Sequence, residues 1–348
     1  MESHATKLVK AALAAAHYAG VDGLLAPWTR GLGVIFMLHH VRPELPQPFE
    51  PNRILKVTPA FLEDVIHQVQ EAGFDTIGLD DVPKRLTEGG QGRPFACFTL
   101  DDGYKDNREF AYPVFKRNNV PFTIYVPTDY PDGKGVLWWL VLETSIARAP
   151  HVSVQMDGAM RHFTTRTPGE KSVAFDAIYW WLRRLPEDRA RYVVAELAQS
   201  IGYDSSKLCS DLVMTWDELR ELARDRLVTI GAHTKRHMAL GMLPADEAEA
   251  EMAGSIARIE AELGRPCRHF SYPYGCAKSA GRREFEMAER LGLATAVTTR
   301  KGLISRRHAH AMMALPRFSL NGDYQDVRYT KVMLSGAPFA LWNAMSRG

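Results

Sequence analysis

The sequence predicts an α/β fold with a parallel sheet or barrel, and two patterns support this prediction. Short apolar runs rich in β-branched and aromatic residues recur along the chain, and near-continuous apolar strands are what a sheet buried on both faces requires. Helical patterns lie between these runs, and strands that alternate with helices indicate βαβ units. The predicted strands are GVIFMLHHV (33–41), FACFTLDD (95–102), PFTIYVP (121–127), LVTIGAH (227–233), CRHFSYP (267–273) and ATAVTT (294–299).

Two of the segments between these strands carry clear helix boundaries. Thr58 precedes Pro59 as a cap, apolar residues follow at helical spacing, and Gly73 ends the pattern. The segment from Pro244 to Gly264 has the same organisation, with proline at its start and glycine at its end. Both segments are therefore predicted to be helices that cover the sheet.

Composition and pattern divide the chain into four parts. We predict an N-terminal amphipathic helical segment over 1–30, a main body over 31–325 and a C-terminal tail over 326–348. Residues 131–215 break the alternation of strands and helices inside the main body, so they are predicted to be an insertion with two or more helices. The two pairs of adjacent tryptophans in this insertion are typical of packing anchors rather than of ligand platforms.

The N-terminal segment contains the apolar stretch AALAAA, which resembles the centre of a short signal peptide. His17 and Asp22 interrupt the apolar region, and its apolar residues fit a helical stripe. We therefore expect an amphipathic helix that packs on the body or lies on a membrane face, which would be a peripheral membrane contact.

Charge and cysteine content indicate the compartment and the class of partner. The formal net charge is +2 with both signs well mixed, which argues against a nucleic-acid partner. No run of roughly 18 apolar residues is present. The four cysteines form no C-x-x-C pair, as expected for buried thiols in a reducing compartment. The sequence thus predicts a cytoplasmic protein, with membrane association if the N-terminal helix lies on a membrane.

Two neighbouring carboxylates, Asp101 and Asp102, end the second predicted strand and are followed by Gly103. Successive side chains of a strand point to opposite faces, so adjacent carboxylates converge on one site only where the strand ends and the backbone turns. Active sites in parallel α/β folds gather at the carboxyl ends of strands. By contrast, Asp80 and Asp81 precede a helix-like continuation without glycine, and we expect them to cap that helix.

A pair of histidines, His233 and His237, follows the fourth predicted strand. If the residues after this strand are helical, positions i and i+4 share one face. Two imidazoles and one of the two carboxylates then form a three-ligand site with positions left for water. Nitrogen-rich ligation favours Zn²⁺, Co²⁺, Ni²⁺ or Fe²⁺ over Mg²⁺. Because the second carboxylate can accept a proton from water that the metal activates, the pattern predicts a hydrolase.

Three ordered motifs give the sequence a resemblance to the polysaccharide deacetylases, which include the nodulation chitooligosaccharide deacetylases. TLDDG (99–103) resembles their Thr-Phe-Asp-Asp-Gly motif, HTKRH (233–237) resembles His-Ser/Thr-x-x-His, and FSYPYG (270–275) resembles the Pro-Tyr/x-Gly loop. The resemblance spans roughly residues 33–320. It implies a distorted (β/α)7-type barrel, and the layout is similar to the subgroup that serves bacterial exopolysaccharide biosynthesis.

The resemblance also implies a role for each matched residue. Asp101 would be the general base, and Asp102, His233 and His237 would bind the metal, with zinc the preferred ion. The backbone N–H of Tyr274 would help to hold the oxyanion. The implied reaction removes N-acetyl groups from N-acetylglucosamine-type units of an oligo- or polysaccharide and releases acetate.

The sequence departs from the family pattern in two places. Many members carry an arginine in the third motif that contacts the catalytic aspartate, and Ser271 holds that place here; Arg317, in ALPRFSL, is a candidate substitute. The late Leu-x-His motif of the general acid has no match. FMLHHVRPE resembles the Tyr-His-x-Val segment of deacetylases that act on exported β-1,6-linked glucosamine polymers, so His39 would be the acid and His40 would face elsewhere.

Other functions remain open from the sequence. An O-deacetylase or another metal-dependent amide hydrolase would use the same site chemistry. A carbohydrate-binding protein with a relic site would explain the missing third-motif arginine. Phosphoryl transfer with Mg²⁺ fits less well, because paired histidines are poor Mg²⁺ ligands and no glycine loop for phosphate is present.

Overall fold

Seven parallel strands close into a barrel in the computed structural model, which describes residues 4–88 and 92–345. Each strand pairs with its neighbours in chain order, and the first pairs with both the second and the last, so the barrel is closed. The prediction of an α/β barrel is confirmed. The barrel strands are β1 (Gly33–Leu38), β2 (Phe95–Leu100), β3 (Phe122–Val126), β4 (Val228–Ala232), β5 (His269–Ser271), β6 (Thr295–Lys301) and β7 (Leu315–Ser319).

The strands are buried on both faces, as their apolar sequences require. All six residues of β1 and all six residues of β2 are buried. One face of each strand fills the barrel and the other packs on the surrounding helices, which is why these runs do not alternate polar and apolar residues. Since all seven strands are parallel, their carboxyl ends meet at one end of the barrel.

Helices surround the barrel and build the additions to it. The longest, at the segment predicted from Pro244 to Gly264, ends at Gly264 with a positive φ of 65°. The helix predicted after Thr58 is capped by the Thr58 hydroxyl, which accepts from the N–H of Phe61. The α-helices of the described residues are α1 (His4–Tyr18), α2 (Val21–Thr29), α3 (Pro59–Glu71), α4 (Val82–Thr87), α5 (Tyr112–Arg117), α6 (Trp138–Arg148), α7 (Pro168–Leu182), α8 (Glu187–Ser200), α9 (Leu208–Leu212), α10 (Trp216–Leu222), α11 (Ala245–Leu263), α12 (Arg282–Arg290), α13 (Val327–Leu334) and α14 (Ala337–Met345).

Short strands lie outside the barrel. His40–Val41 pairs with Lys56–Val57, and Asp75–Thr76 extends the sheet beside the start of β2. A separate antiparallel hairpin joins His151–Met156 to Ala159–Thr164.

The predicted insertion, residues 131–215 between β3 and β4, contains helices α6 to α9 and the antiparallel hairpin. It has a hydrophobic core of its own, separate from the main core, to which Trp138, Trp139 and Trp181 contribute. Trp180 is exposed. Because the insertion leaves from the carboxyl end of β3, it lies at the end of the barrel where the strands' carboxyl ends meet.

The two ends of the chain pack against each other. Helices α1 and α2 contact α13, and α2 also contacts α14, so the range predicted as a C-terminal tail contains two packed helices. No helix in the described ranges is by itself long and apolar enough to cross a membrane. Helices α1 and α2 pass that test of length and composition only as a pair bent by 101°.

Asp81 stands at the N-cap position of α4, but neither Asp80 nor Asp81 makes the predicted capping hydrogen bond. They belong to a short 3₁₀ turn, Leu79–Asp81, and the side chain of Asp81 makes no capping hydrogen bond. Oδ1 of Asp80 instead lies 3.2 Å from Nε2 of His269, at the start of β5. This aspartate pair is therefore at the opposite end of the barrel from the carboxyl ends of the strands.

Candidate active site

Asp101 and Asp102 follow directly on β2 and are both buried. Asp102 has a φ of +74° and Gly103 a φ of +69°. A left-handed conformation is uncommon for residues other than glycine and costs free energy, so it persists only where the surrounding structure enforces it. This turn brings the second carboxylate round to the same end of the barrel as the first.

Asp102, His233 and His237 come together in a candidate metal site. One ligand atom from each residue lies within 4.8 Å of the other two, and all three side chains are buried. Oδ1 of Asp102 is 3.7 Å from Nε2 of His233 and 3.4 Å from Nε2 of His237. Three ligand atoms thus face one small volume from the ends of two strands.

The two histidines converge because of a loop and not because of a helix. Residues after β4 are irregular, so the conditional prediction of a helical i, i+4 pair is wrong. Thr234 and His237 have φ values of +63° and +60°. These left-handed residues fold the loop back on itself, and the ring centroids of His233 and His237 are 4.9 Å apart.

The donor atoms of this cluster fit a divalent cation. Nδ1 of His233 lies 2.6 Å from the carbonyl oxygen of Ser271, so it donates there and leaves Nε2 with a free lone pair. Among the described residues, Oδ1 of Asp102 has no hydrogen-bond partner. Burial, with the adjacent charge of Asp101, raises the pKa of Asp102 to about 8. Burial also lowers the pKa of both His233 and His237, which keeps them neutral as metal ligation requires.

Arg317 lies against Asp101 in the centre of the barrel end. Its Nη1 donates to Oδ1 at 2.8 Å and its Nη2 donates to Oδ2 at 2.7 Å. Burial by itself raises the pKa of Asp101, but the Arg317 guanidinium outweighs burial and the pKa falls to about 2. Nη2 of Arg317 also donates to Oγ of Ser271 at 3.0 Å. Ser271, which takes the place of the family's third-motif arginine, thus accepts a hydrogen bond from Arg317, which lies on β7.

His39 lies at the edge of the same group. Its Nε2 is 4.0 Å from Oδ2 of Asp101, and its side chain is 20% exposed, whereas Asp101 is 3% exposed. Burial lowers the pKa of His39 to about 4, although the charge of Asp101 acts in the opposite direction. His39 is therefore the member of this group that is most open to a substrate.

The side chain of His40 points away from the site and contacts Asp106 and Tyr104, which the sequence analysis did not identify. Its Nδ1 is 2.7 Å from Oδ2 of Asp106, and its ring stacks on Tyr104 with centroids 3.6 Å apart. Nδ2 of Asn107 donates to the carbonyl oxygen of His39 at 2.7 Å. Asp106 and Asn107 therefore fix the backbone that carries His39. The sequence does contain a signal for them, because Asp106 and Asn107 are polar and follow the aspartate motif closely in DDGYKDN.

Tyr274 lies beside the candidate metal site, in the loop after β5. Its φ is +59°, and its ring centroid is 4.9 Å from that of His237. Its hydroxyl accepts from Nε1 of Trp138 at 2.9 Å, and the guanidinium of Arg183 lies 3.5 Å from its ring centroid. Within residues 4–88 and 92–345, the Tyr274 N–H makes no backbone hydrogen bond.

The insertion supports the histidine loop through residues that the sequence did not indicate. Nη2 of Arg191 donates to the carbonyl oxygen of Arg236 at 2.7 Å, and Oε2 of Glu187 accepts from the N–H of Ala239 at 2.7 Å. The ring of Trp139 lies 5.1 Å from that of His237. Side chains from α6 and α8 thus hold both sides of His237.

One part of the chain matches a known family by sequence. Residues 174–296 match the family model described as polysaccharide deacetylase. This range contains His233, His237 and Tyr274 and begins after the Asp101–Asp102 pair. No curated relative matches the chain.

Solved deacetylases share the fold over nearly the whole chain. A Streptococcus pyogenes deacetylase, PplD, solved with acetate, is 15% identical, with 87% of this chain and 97% of that chain covered and a TM-score of 0.57. IcaB from Ammonifex degensii is 16% identical, with 87% and 97% covered and a TM-score of 0.54. A de-N-acetylase from Aggregatibacter actinomycetemcomitans is 12% identical, with 86% and 98% covered and a TM-score of 0.52. Residues 174–296 thus match the polysaccharide deacetylase family model, and nearly the whole chain shares the barrel fold of these solved structures.

Proposed function

We propose that this protein is a metal-dependent hydrolase that removes N-acetyl groups from N-acetylglucosamine-type units of an oligo- or polysaccharide. The observation that carries the proposal is that a candidate base and a candidate metal site lie next to each other at the same end of the barrel. The candidate base is Asp101, which Arg317 holds by hydrogen bonds. Next to it, one ligand atom from each of Asp102, His233 and His237 faces the other two. A hydrolase needs a base and an electrophile within a few ångströms of one carbonyl group.

The donor set of the candidate metal site favours zinc. Two imidazole nitrogens and one carboxylate oxygen are the ligands of many catalytic zinc centres, and cobalt, nickel and iron accept the same set. When bound, such a cation acidifies water and polarises the acetyl carbonyl group, which suits a base as weak as Asp101.

Asp101 acts as the general base in this proposal. Arg317 keeps its carboxylate ionised at neutral pH and fixes its orientation through two hydrogen bonds. It accepts the proton of the attacking water. The free N–H of Tyr274 donates to the oxyanion that forms at the acetyl carbon.

His39 protonates the departing amine. The pKa of Asp101 is about 2 and that of His39 about 4. This order favours transfer of the proton from Asp101 to Nε2 of His39 and then to the more basic amine, and because 4.0 Å separates Nε2 from Oδ2 of Asp101, one water bridges the first transfer. Acetate and a glucosamine unit result, and each proton is accounted for.

The location of Arg317 weakens the alternative of a relic binding protein. That reading depended on the missing third-motif arginine, and the structure has an arginine bonded to Asp101 by another route. The names of the fold neighbours, which include a de-N-acetylase, support hydrolysis of an N-acetyl group over an O-acetyl group.

We also propose that the enzyme works in the cytoplasm. The four cysteines are free thiols, and three of them are buried. This arrangement needs no oxidising compartment.

The test of the function combines metal analysis with an acetate assay. The purified protein is analysed for bound metal and incubated with N-acetylglucosamine oligomers, and Asp101→Asn serves as the control. About one equivalent of metal and acetate release that depends on Asp101 would support the proposal. Metal-loaded wild-type protein that releases no acetate from soluble or lipid-linked N-acetylglucosamine substrates would overturn it.

A further inference from the structure

The N-terminal and C-terminal helices expose an unusual amount of apolar surface. Leu8 is 72% exposed, Leu24 is 69% exposed and Trp28 is 77% exposed. Large apolar side chains at such exposure are normal when they are scattered, but their concentration on neighbouring helices, here α2 with α1 and α14, which it contacts, indicates an interaction site. Helices α1, α2 and α14 carry nearly half of the large exposed apolar side chains of the described residues. We call this group the terminal apolar face, and it consists of Leu8, Val9, Tyr18, Leu24, Leu25, Trp28 and Leu341.

These helices are fixed to the body, so their exposed side chains are not a loose tail. Helix α1 packs on α13, and Leu13 of α1 is buried. The hydroxyl of Tyr18 accepts from Nη1 of Arg328 at 2.7 Å. The hydroxyl of Thr29 donates to the carbonyl oxygen of Ser335, which ties the end of α2 to the end of α13. The terminal apolar face is therefore presented outward by a packed helical layer.

Basic residues accompany this face. Helices α1, α2, α13 and α14, with the residues that cap them, contain five basic residues and two acidic residues. This local excess of positive charge is larger than the +2 of the whole chain. One of the acidic residues, Asp326, is already paired with Arg328. The basic residues are Lys7, Lys10, Arg30, Arg328 and Lys331, and the acidic residues are Asp22 and Asp326.

We infer that the terminal apolar face docks this protein on an anionic phospholipid bilayer. Leucine and tryptophan side chains on one face of a short helix enter the boundary between headgroups and acyl chains. Basic residues beside them are attracted to anionic headgroups. A second protein chain would bury the apolar side chains equally well but would not require the local excess of positive charge. The inference does not depend on the proposed reaction, because none of these residues lies at the barrel end.

The test measures sedimentation of the full chain with lipid vesicles. Vesicles of phosphatidylcholine alone are compared with vesicles of equal parts phosphatidylcholine and phosphatidylglycerol. The double variant Leu24→Ser/Trp28→Ser removes two of the most exposed apolar side chains. Trp180→Ser is the matched control, because Trp180 is 63% exposed on the insertion.

Wild-type protein and Trp180→Ser are expected to sediment with the phosphatidylglycerol vesicles. The double variant should bind them roughly tenfold or more weakly, given the transfer free energy of large apolar side chains. Lys7→Gln should weaken binding to phosphatidylglycerol vesicles and leave binding to neutral vesicles unchanged. Thermal unfolding of each variant confirms that it is folded.

Three outcomes would overturn the inference. The first is wild-type protein that does not bind phosphatidylglycerol vesicles at low salt. The second is a double variant that binds as wild type does. The third is a wild-type dimer in solution that the double variant abolishes without any vesicle binding, since that result would assign the face to a second copy of the chain.

Discussion

Arg317 and Asp101 form a two-pronged ion pair between the last strand of the barrel and the end of the second strand. The two hydrogen bonds are 2.8 and 2.7 Å long, and both side chains are almost completely buried. A charge that is removed from water in this way is stable only while its partner is present. Once buried, the candidate base Asp101 therefore stays ionised because closure of the barrel brings Arg317, on the last strand, next to it.

Removal of one partner of this pair should destabilise the protein more than removal of both. Arg317→Met leaves the Asp101 carboxylate buried and unpaired, at an expected cost of about 3–5 kcal/mol in the free energy of unfolding. Asp101→Asn/Arg317→Met removes both charges and should recover part of that loss. Urea unfolding of the two single variants and the double variant gives the coupling free energy. Additive losses would contradict the ion pair.

The two neighbouring aspartates should separate into different roles. Asp101→Asn is expected to lower acetate release by about a hundred- to ten-thousand-fold while bound metal stays near the wild-type amount. Asp102→Asn should lose both metal and activity, because it removes a ligand. Metal analysis and the acetate assay on the same samples distinguish the two variants. Asp80→Asn, in the similar sequence at the other end of the barrel, is the control and should change neither.

Asn107 should act through the position of His39. Asn107→Ala frees the His39 backbone, and a shift of about 1 Å can cost on the order of a hundredfold in rate. The loss should appear with N-acetylglucosamine oligomers, whose amine needs a proton to leave. It should be small with 4-nitrophenyl acetate, whose leaving group needs none.

Two controls accompany the Asn107 experiment. His39→Ala should show the same dependence on the leaving group. Asn118→Ala removes a part-buried asparagine whose Nδ2 donates to the carbonyl oxygen of Val114, far from His39, and it should leave both substrates unaffected. Equal losses of Asn107→Ala on the two substrates would indicate a structural role only.

In the metal-free protein, Asp102 should make the wild type progressively less stable relative to Asp102→Asn as the pH rises from about 4 to about 8. In the folded chain the pKa of Asp102 is about 8, whereas an unfolded aspartate has a pKa of about 3.9. Between these values the folded state binds the extra proton on Asp102, so the contribution of Asp102 to the free energy of unfolding falls with rising pH. The lowered pKa values of His39, His233 and His237 act in the opposite direction in both proteins, so the difference between the two proteins isolates Asp102. Urea midpoints of chelated protein measured against pH test this, with chelated Asp102→Asn as the control. The same slope in both proteins would assign the effect to other groups.

Local sequence was sufficient for most strands and for the aspartate turn. The runs before Asp101 and before His233 are continuous and apolar, and such runs form buried strands whatever their neighbours are. The strand β7 was not among the predicted runs, because Pro316 and Arg317 interrupt its apolar character. That arginine is nevertheless buried, since its charge is paired inside the barrel.

The caps and the histidine loop show where local rules were overridden. Asp81 stands at the N-cap position of α4, but its side chain makes no capping hydrogen bond, and Asp80 contacts His269 instead. His233 and His237 would share one face if the residues after β4 were helical, but two left-handed residues bring them together in a loop. In both places tertiary contacts decided the conformation against the local propensity.

By itself, the sequence determined which strands are apolar and end in polar side chains, because the apolar pattern of a strand and the turn after it are local properties. Only the tertiary structure decided which of these groups meet. Arg317 is 216 positions from Asp101 in the chain, and closure of the barrel makes their strands converge. The insertion supplies Arg191 and Glu187 to the histidine loop in the same way. Contacts between residues so distant in sequence depend on the packing of the whole chain, so the hydrophobic pattern of a single segment does not predict them.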